Sequence, residues 1–485
     1  MSKSLLTLEE LLSATKGTQI GHNSVEFLSV ETDSRNITVD SKVMFVPLVG
    51  EFQDGHKYVE QAISSGATVV LINNSEYKKN SKKYDDIVSS TRVCIICVEN
   101  TLYGLQKAAE AYVAKTASKM IRVSITGSCG KTTTKELLVS VCKAHFGEEN
   151  VAYTKGNFNS ETGLPLSVFK IRGDEKIGIF EMGMNRVNEI GEISAVLISK
   201  YGIITNIGTA HIGILGSRQN IALEKRKSFD YIPVDGAAFV PVDDDFADFC
   251  TEKVKGKVVK FGSSIKENEN GVKFISDNGL YGSTFMLDGV EINLPLSGAY
   301  NYENALGVIA LAKELGISAE TIKKGIENSS AVSGRMEIKK TKLKNNGEIT
   351  LVKDCYNANP DSMLKSIEFV AGLKEKAKKI MILADMKELG EKSKEAHENI
   401  GLALCNCKPD KVILVGSEMA ACKKILDNNG LNCTSFDESN ENNFKIIADM
   451  LNDYCSTNDI VLLKGSNSMK LADILPFCTV EGRKN

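Results

Sequence analysis

The sequence lacks the features that mark membrane-spanning, exported or nucleic-acid-binding proteins. No apolar run in its 485 residues approaches the roughly 20 residues that a membrane-spanning helix needs. Its first residues, MSKSLLTLEELL, mix acidic side chains into an apolar pattern and do not form the hydrophobic core of a signal peptide. Because 59 basic residues nearly balance 62 acidic ones, no charge excess favours a nucleic acid or an anionic membrane. We therefore expect a cytoplasmic protein that binds neither nucleic acid nor membrane.

The twelve cysteines show no disulfide or zinc pattern. In a chain without export signals, scattered cysteines are typical of free thiols. Cys94 and Cys97 form a CxxC inside the apolar run VCIICV, and Cys405 and Cys407 form a CxC. Neither pair has the second pair or histidine cluster of a four-ligand zinc site, so we favour buried small hydrophobic residues over a metal or redox site. With only five histidines, any histidine inside a motif carries weight.

Length and pattern predict three domains. Domains have about 150 residues on average, and single hydrophobic cores stop growing near roughly 250–300 residues. A chain of this length is therefore expected to divide into about three domains. The composition is close to the globular average, and the chain has no internal repeat or low-complexity tract. We place a small α/β domain at 1–105, a central domain at 106–332 and a C-terminal domain at 333–485.

The apolar runs predict the fold class of each domain. In the first domain, residues 43–50 and 66–72 are expected as buried strands. In the second, short runs bounded by turns predict a phosphate-loop-type parallel sheet with crossover helices, and alternation over 260–297 predicts an antiparallel insertion. The third domain repeats the strand–helix rhythm and is expected to be Rossmann-like, but it has no GxGxxG and so no implied dinucleotide. The apolar runs of the central domain are 121–125, 176–182 and 201–207. Those of the C-terminal domain are 348–354, 379–386, 411–416 and 460–466.

A candidate phosphate-binding loop follows the first strand of the central domain. Its glycines allow backbone N–H groups to point at phosphate oxygens, and the helix that it opens adds positive charge. Lys131 would reach the terminal phosphates and the Thr132 hydroxyl would bind Mg²⁺. The match to the usual pattern is incomplete, since its first glycine would fall at Ile125, and the alternative is a glycine-rich turn. The loop is Thr126-Gly127-Ser128-Cys129-Gly130-Lys131-Thr132-Thr133.

Two further residues could serve a metal at this edge of the sheet. Glu181 ends an apolar strand, where a magnesium ligand is needed. His211 follows the next strand. Each has an ordinary alternative, as a strand-end carboxylate or as a buried structural histidine, and the residues by themselves leave these alternatives open.

The motifs occur in an order that resembles the Mur ligases of peptidoglycan synthesis. The resemblance runs from about residue 32 to 468 and so covers nearly the whole chain. Within that family, YNANP with SM, and DMKELG, are similar to the ligase that adds D-alanyl-D-alanine to UDP-N-acetylmuramoyl-tripeptide. The chain also lacks the AspAsnProArg signature typical of the member that adds the third amino acid. The motifs are TDSR, QDGH, TGSCGKTTTKE, NFNSETGLPLSV, FEMGMNRVNEIGEI, NIGTAHIGILGS, GAYNYENALGV, GRMEI, DCYNANPDSM, DMKELG and LLKGSNS.

The resemblance implies an ATP-dependent, ADP-forming ligase with an acyl-phosphate intermediate and two Mg²⁺ ions. Its catalytic residues would be Lys131, Glu181, His211 and Lys225. Thr132 and Glu181 would hold one Mg²⁺, and Glu181 and His211 would serve the other. Lys225 aligns with a lysine that the family N-carboxylates into an anionic metal ligand. Lys227, where relatives commonly have an acid, leaves open which of the two lysines is modified.

The resemblance also assigns binding residues. Asn301 and Asn304, one helical turn apart, would face the adenine, Arg335 the γ-phosphate and Asp354 the ribose. Tyr300 stands where the family often has histidine, and the resemblance gives this ring no role. ATP contacts are thus expected at the loop residues 126–133 and at Asn301, Asn304, Arg335 and Asp354. Substrate contacts are expected for the UDP end at Ser34, Arg35, Gly55 and His56, for the muramoyl or acyl centre at Asn157 and Asn159, and for the dipeptide at Asn357, Asn359 and Ser362.

Other readings remain open at this point. The nearest are another Mur-type ligase, including the amino-acid-adding member, and a folate-polyglutamate enzyme. A phosphate-loop switch protein would need a guanine-reading AsnLysXaaAsp segment, which the sequence lacks. The third residue of the tripeptide is undetermined, and a monomer is the working expectation for the oligomeric state.

Overall fold

The structure is a computed structural model that describes residues 4–345 and 347–480. These residues form four β-sheets flanked by helices, in the order along the chain that the apolar runs predict. Three sheets are wholly or mainly parallel and the fourth is antiparallel, so the expected α/β fold class is confirmed. The extreme ends of the outer expected domains, residues 1–3 and 481–485, lie outside the described residues.

The first sheet has the strand order β1-β5-β4-β3-β2, with β1 antiparallel to β5 and the other pairs parallel. The run expected as a strand over 43–50 forms one only over Val43–Phe45, because Pro47 has no N–H with which to continue a ladder. Cys94 and Cys97 are buried in β5, as expected. The strands are Thr18–Gly21, Ser29–Glu31, Val43–Phe45, Ala67–Asn73 and Cys94–Val98 (β1 to β5), and the helices are Leu8–Thr15, Val59–Ser65, Asn74–Lys79, Ser81–Ser90 and Thr101–Thr116 (α1 to α5).

The central sheet is entirely parallel, with the strand order β11-β10-β9-β6-β8-β7. Because parallel strands share a direction, the carboxyl ends of β6, β8 and β9 meet at one edge. The strands are Ile121–Thr126, Val151–Tyr153, Ile177–Glu181, Tyr201–Ile204, Ala237–Pro241 and Lys257–Phe261 (β6 to β11). The helices are Lys131–Phe146, Gly163–Val168, Glu189–Leu197, Ile212–Leu215, Arg218–Lys225, Ala247–Thr251, Glu267–Asn270, Ala299–Glu314 and Ala319–Glu327 (α6 to α14).

The antiparallel insertion forms a three-stranded sheet before α13. Its strands are Val272–Asp277, Ser283–Leu287 and Val290–Leu294 (β12 to β14), in sequential order. The predicted range, 260–297, started too early, because residues 260–261 pair in parallel with β10 as the end of β11. Alternation alone does not distinguish an edge strand of a parallel sheet from an antiparallel strand.

The C-terminal sheet has the order β15-β16-β20-β17-β18-β19, with β15 antiparallel to β16 and every other pair parallel. Asn359 caps α15 in a capping box with Ser362, which sets where this helix begins. The strands are Glu337–Lys342, Glu348–Asp354, Lys379–Ala384, Lys411–Val415, Cys433–Phe436 and Ile460–Lys464 (β15 to β20), and the helices are Pro360–Gly372, Ser393–Cys407, Ala420–Asn428, Glu441–Tyr454 and Leu475–Cys478 (α15 to α19).

Helix α5 joins the first domain to the second. Its Leu105 and Tyr112 belong to a continuous apolar core that also contains residues of α8 from the central domain. The Tyr112 hydroxyl donates to the Ile171 carbonyl, 2.5 Å away. The boundary expected after residue 105 therefore falls inside a helix that packs on both sides. Across residues 4–345 and 347–480, no helix combines the length and the apolarity needed to cross a membrane.

Candidate functional site

A cavity of about 1320 Å³ lies where the central and C-terminal domains face each other. It opens at the carboxyl ends of β6 and β8, beside the ends of β16 and β20. This is the edge at which open parallel sheets bind ligands. The sequence-predicted residues that line it are Ser128 to Thr133, Asn157, Asn159, Glu181, His211, Asn301, Asn304, Arg335, Asp354, Asn357, Asn359 and Ser362.

The phosphate loop has the expected strand–loop–helix setting. Gly127 and Gly130 have φ of +152° and +83°, and a side chain at either would clash, with Thr205 and with Asn304 respectively. Helix α6 begins at Lys131, so its unpaired first-turn N–H groups face the cavity.

Two of the loop amides are already engaged within the protein. The Ser128 amide donates to the Asn206 backbone carbonyl and the Cys129 amide donates to Asn206 Oδ1, each at 3.0 Å. Thr205 Oγ1 in turn donates to the Cys129 carbonyl at 2.5 Å. Asn206 therefore holds the loop in shape, a role not predicted from the sequence although Asn206 lies inside the motif NIGTAHIG. The amides at the start of α6 are then the backbone donors of this loop that could meet a phosphate.

The half-buried Lys131 and the buried Lys225 share one acceptor in this loop. Lys131 Nζ and Lys225 Nζ donate to the Gly127 carbonyl at 2.8 and 3.0 Å. Burial lowers the pKa of Lys131, and the nearby Glu181 carboxylate opposes that effect. The pKa of Lys225 lies well below its ordinary value, first because of burial and then because of the charge on Lys131.

Lys227, the alternative to Lys225, lies in a different environment. Its Nζ donates to Glu224 Oε2 at 2.7 Å and to Asn188 Oδ1 at 3.0 Å. It is one of several cations neutralised by a carboxylate nearby in sequence, whereas Lys225 contacts the phosphate loop itself.

Glu181 is held by polar side chains from two other segments. The Thr132 hydroxyl donates to its Oε2 and the Asn159 amide donates to its Oε1, both at 2.8 Å. Its backbone N–H donates to Thr154 Oγ1 at 3.1 Å. The carboxylate is 1% exposed. Its oxygens and that of Thr132 are the hard donors that Mg²⁺ prefers, and one or two such ligands are usual when phosphates and water complete the shell.

His211 lies across the cavity in contact with the C-terminal domain. Its backbone is left-handed, with φ +64°. Its Nδ1 lies 2.8 Å from Glu388 Oε2, although the two atoms are not aligned as a hydrogen bond. The Gly213 amide donates to the Glu388 carbonyl at 3.1 Å. This loop and the Glu388 turn therefore join the two domains.

The residues expected to contact the nucleotide line the same cavity, and some of their polar groups already have partners within the protein. Asn301 Nδ2 donates to the Ser297 carbonyl at 2.8 Å and Asn304 Nδ2 to Asn301 Oδ1 at 3.2 Å. The Asp354 carboxylate pairs with Lys464 at 2.8 Å and accepts from the Ser366 hydroxyl at 2.7 Å.

Arg335 follows the expected boundary of the C-terminal domain. Its guanidinium lies 4.2 Å from the centre of the Tyr356 ring. Within the described part of the chain, its buried Nε has no hydrogen-bond partner. The stacked guanidinium therefore keeps a free donor in the cavity.

The start of α15 contacts the central domain directly. Asn359 Nδ2 lies 3.3 Å from the Cys129 sulfur in the phosphate loop. Asp361 Oδ2 accepts from the backbone N–H and hydroxyl of Thr209 at 2.6 and 2.8 Å. Asp361 was not predicted from the sequence, because a polar residue in the first turn of a helix has no pattern that identifies a distant partner.

The four residues expected at the UDP end do not line this cavity. They lie in the first domain, in one-turn helices packed against α2. Ser34 Oγ lies 3.2 Å from Gln61 Oε1, and Arg35 is exposed and paired with Asp33.

His56 is 3% exposed and uses both of its ring nitrogens within the protein. Its Nδ1 lies 2.6 Å from Asp54 Oδ1, and its Nε2 accepts the Asn73 N–H at 3.1 Å. In this structure, the ring fixes the turn that contains Gly55.

Comparisons with known proteins agree with this architecture. Residues 125–312 match the Mur ligase middle domain, and residues 334–467 match the Mur ligase, glutamate ligase domain. A crystal structure of MurF from Acinetobacter baumannii superposes with a TM-score of 0.81 at 25% identity, covering 98% of each chain. The MurF ligase of Thermotoga maritima in complex with ADP superposes with a TM-score of 0.75 at 25% identity, covering 93% of this chain and 96% of that one. The fold and the phosphate-loop cavity thus define an ATP-dependent ligase.

Two curated relatives match over nearly their whole length. The UDP-N-acetylmuramoyl-tripeptide--D-alanyl-D-alanine ligase of Treponema pallidum is 34% identical over 98% of this chain and 100% of its own. The enzyme of the same name from Bacillus subtilis is 30% identical over 97% of both. The chain belongs to the Mur ligase family.

Proposed function

We propose that this protein joins D-alanyl-D-alanine to UDP-N-acetylmuramoyl-tripeptide, at the expense of ATP, in bacterial cytoplasmic peptidoglycan precursor synthesis. One structural observation carries the proposal. A single cavity brings the phosphate loop and Glu181 of the central domain together with Asn357 and Asn359 of the C-terminal domain. Relatives that match the chain over nearly their whole length carry this activity in their names.

The reaction needs an activated carboxylate. A carboxylate oxygen of the tripeptide attacks the γ-phosphorus of ATP and ADP leaves, giving an acyl phosphate. The dipeptide amine then attacks the acyl carbon, phosphate leaves with the C–O electron pair, and the nitrogen loses a proton. The protein positions two anions and neutralises their charge, and the α6 amides and Lys131 at the phosphate loop are suited to that task.

The residues present fit Mg²⁺. When bound, the metal would supply the positive charge that lets the tripeptide carboxylate approach the γ-phosphate. Thr132 and Glu181 would hold one ion, and Glu181 and His211 the second. Asn159, which donates to Glu181 at 2.8 Å, keeps the carboxylate oriented.

We further propose that Lys225, not Lys227, is the N-carboxylated residue. Its nitrogen is buried against the Gly127 carbonyl of the phosphate loop, whereas the Lys227 ammonium is paired with Glu224. A neutral amine adds to CO₂ and loses one proton, and the product is a carbamate anion. Beside the phosphate loop, that anion would serve as a metal ligand.

The remaining assignments follow the family motifs. Asn301, Asn304, Arg335 and Asp354 contact ATP, and Asn157 and Asn159 lie near the acyl centre. Asn357, Asn359 and Ser362 contact the dipeptide. The UDP end binds in the first domain near Ser34, Arg35 and the Gly55–His56 turn, with His56 acting through the shape of that turn. The division at 1–105, 106–332 and 333–485 and a monomeric state belong to the same proposal.

The test is phosphate release with defined amine donors. With UDP-muramoyl-tripeptide and ATP, D-alanyl-D-alanine should give ATP-dependent product, while L-lysine and diaminopimelate should give none. Tripeptides with diaminopimelate or lysine at the third position, assayed in parallel, identify the preferred acceptor. Product formation with a free amino acid instead would assign the chain to the amino-acid-adding branch, and ATP-dependent glutamylation of a folate would assign it to the folate enzymes.

A further inference from the structure

One buried hydroxyl in the cavity has no hydrogen-bond partner among residues 4–345 and 347–480. Among the described residues, seven buried side-chain atoms lack a hydrogen-bond partner, and three of them belong to residues that line the cavity: His211, Tyr300 and Arg335. The family motifs assign roles to His211 and Arg335. They assign none to Tyr300, although leaving a buried hydroxyl without a partner is unfavourable. Such a group is expected where a ligand supplies the partner.

The Tyr300 ring is held in place from two sides. A Cβ on Gly298 would lie 2.7 Å from the ring's Cε1, so the ring occupies space that only a glycine leaves free. The ring also packs against the apolar core of the C-terminal domain, although Tyr300 itself lies on α13 of the central domain. The hydroxyl is therefore fixed before any ligand arrives.

The neighbours of Tyr300 indicate which part of a ligand it would meet. Burial, followed by the Asp354 charge and the Cys129 thiol, raises the pKa of Tyr300 well above its ordinary value, so the hydroxyl stays protonated. Asp354 already accepts from Lys464 and Ser366. Cys129 lies in the phosphate loop and Asp354 at the expected ribose position. The ribose–phosphate part of a nucleotide would fall beside both.

We propose that Tyr300 is a nucleotide-binding residue whose hydroxyl donates a hydrogen bond to an oxygen of the ribose–phosphate part of ATP. This rests on the proposed function and adds one contact to it. This hydrogen bond gives a buried, unpaired donor a partner. It therefore contributes to nucleotide affinity and not to the stability of the nucleotide-free protein.

The test is Tyr300→Phe, which removes one oxygen. We expect ADP and a non-hydrolysable ATP analogue to bind about five- to tenfold more weakly by calorimetry, with a matching rise in KM for ATP. KM for both other substrates should stay unchanged. The unfolding temperature of the nucleotide-free protein should be unchanged or higher, because the hydroxyl has no partner to lose.

Tyr302→Phe is the matched control. Tyr302 lies on the same helix, and its ring packs 5.4 Å from that of Phe285 in the antiparallel insertion, outside the cavity. It should bind nucleotide like the wild type. Tyr300→His, which restores an N–H donor, should recover part of the lost affinity.

Wild-type nucleotide affinity in Tyr300→Phe would overturn the assignment, as would a defect confined to KM for the dipeptide or the UDP substrate. A lower unfolding temperature with an equal loss of affinity in Tyr302→Phe would indicate a structural role and also overturn it. A wild-type protein that binds no ATP analogue would refute the proposed function itself, whereas wild-type binding by Tyr300→Phe refutes only this contact.

Discussion

At the residue scale, the chemistry of the cavity depends on carboxylates and amines whose surroundings are unusual. Glu181 is buried, yet within the part of the chain that the structure describes each of its oxygens accepts a hydrogen bond from a neutral donor and none from a cation. A buried carboxylate without a cationic partner is costly unless a positive charge joins it. This environment is therefore suited to binding a metal ion.

We expect Glu181→Gln to lower kcat by at least about 100-fold, because the amide removes the charge and one of the oxygens offered to Mg²⁺. The measurement is phosphate release across a range of Mg²⁺ concentrations. Glu189→Gln is the control, since Glu189 is also buried but accepts from the backbone amides of Glu161 and Asn185. It should lose stability and keep its Mg²⁺ dependence. An active Glu181→Gln enzyme with unchanged Mg²⁺ dependence would contradict the metal assignment.

If Lys225 is N-carboxylated, the activity of the enzyme should depend on dissolved CO₂. Wild-type activity should fall when bicarbonate is removed and return when it is added, whereas Lys225→Ala should be weakly active under both conditions. Lys227→Ala should behave like the wild type, because the side chain pairs with Glu224 away from the loop. Direct mass measurement is a poor test, since the carbamate is labile. Full activity of Lys225→Ala without bicarbonate would contradict N-carboxylation of Lys225. Weak activity of Lys227→Ala together with wild-type behaviour of Lys225→Ala would assign the modification to Lys227.

At the scale of elements, helix α6 is tied to the strands that carry the site. Lys135 is fully buried on this helix, and its Nζ donates to the Thr154 carbonyl at 2.8 Å. Thr154 Oγ1 then accepts the backbone N–H of Glu181 at 3.1 Å. The helix that carries Thr132 and the strand that carries Glu181 are thus linked through one residue.

Lys135→Met should break this link while keeping the apolar stem. It leaves the Thr154 carbonyl without its donor, so we expect a loss of about 1–3 kcal/mol in stability and a lower unfolding temperature. The activity of the folded fraction should also fall several-fold, because the position of Glu181 relative to helix α6 is no longer fixed through Thr154. Lys143→Met, on the same helix but paired with Glu148 at the surface, should change stability by less than about 1 kcal/mol. Equal unfolding temperatures for the two variants would show that the buried link is unimportant.

The elements also show which structural features could be predicted from sequence patterns. The strand–loop–helix at 126–133 was predictable because its signals are local: an apolar run, two glycines that need positive φ and a helix start. The pairing of the Ser128 and Cys129 amides with Asn206 was not, because it joins segments more than 70 residues apart. The end of β3 was missed by five residues, since apolarity continues past Pro47, and the start of the insertion by twelve, since alternation begins inside β11.

At the scale of the whole molecule, polar contacts join the central and C-terminal domains around the cavity. They include Thr209 with Asp361 and Gly213 with Glu388. Polar contacts of this kind exchange readily with water, so relative motion of the domains is the default expectation. An acyl phosphate also needs a site from which water is excluded.

We predict that ATP analogue and UDP-muramoyl-tripeptide together bring the C-terminal domain closer to the central one. Small-angle scattering should then give a smaller radius of gyration than for the free protein, with either ligand alone having less effect. Asp361→Asn, which weakens the Thr209 contact, should require more ligand for the same change. Identical scattering curves with and without both ligands would count against closure.

The sequence by itself determined the fold class, the order of the domains and the location of the phosphate loop, because periodicity, glycine and motif order are local properties of the chain. Only the tertiary structure decided which polar groups are free. His56 has both ring nitrogens engaged, and Lys225 rather than Lys227 reaches the loop. Tyr300 lines the cavity, and its buried hydroxyl has no partner among the described residues. The physical reason is that hydrogen-bond satisfaction depends on partners brought together by packing, and no spacing in the sequence encodes that balance.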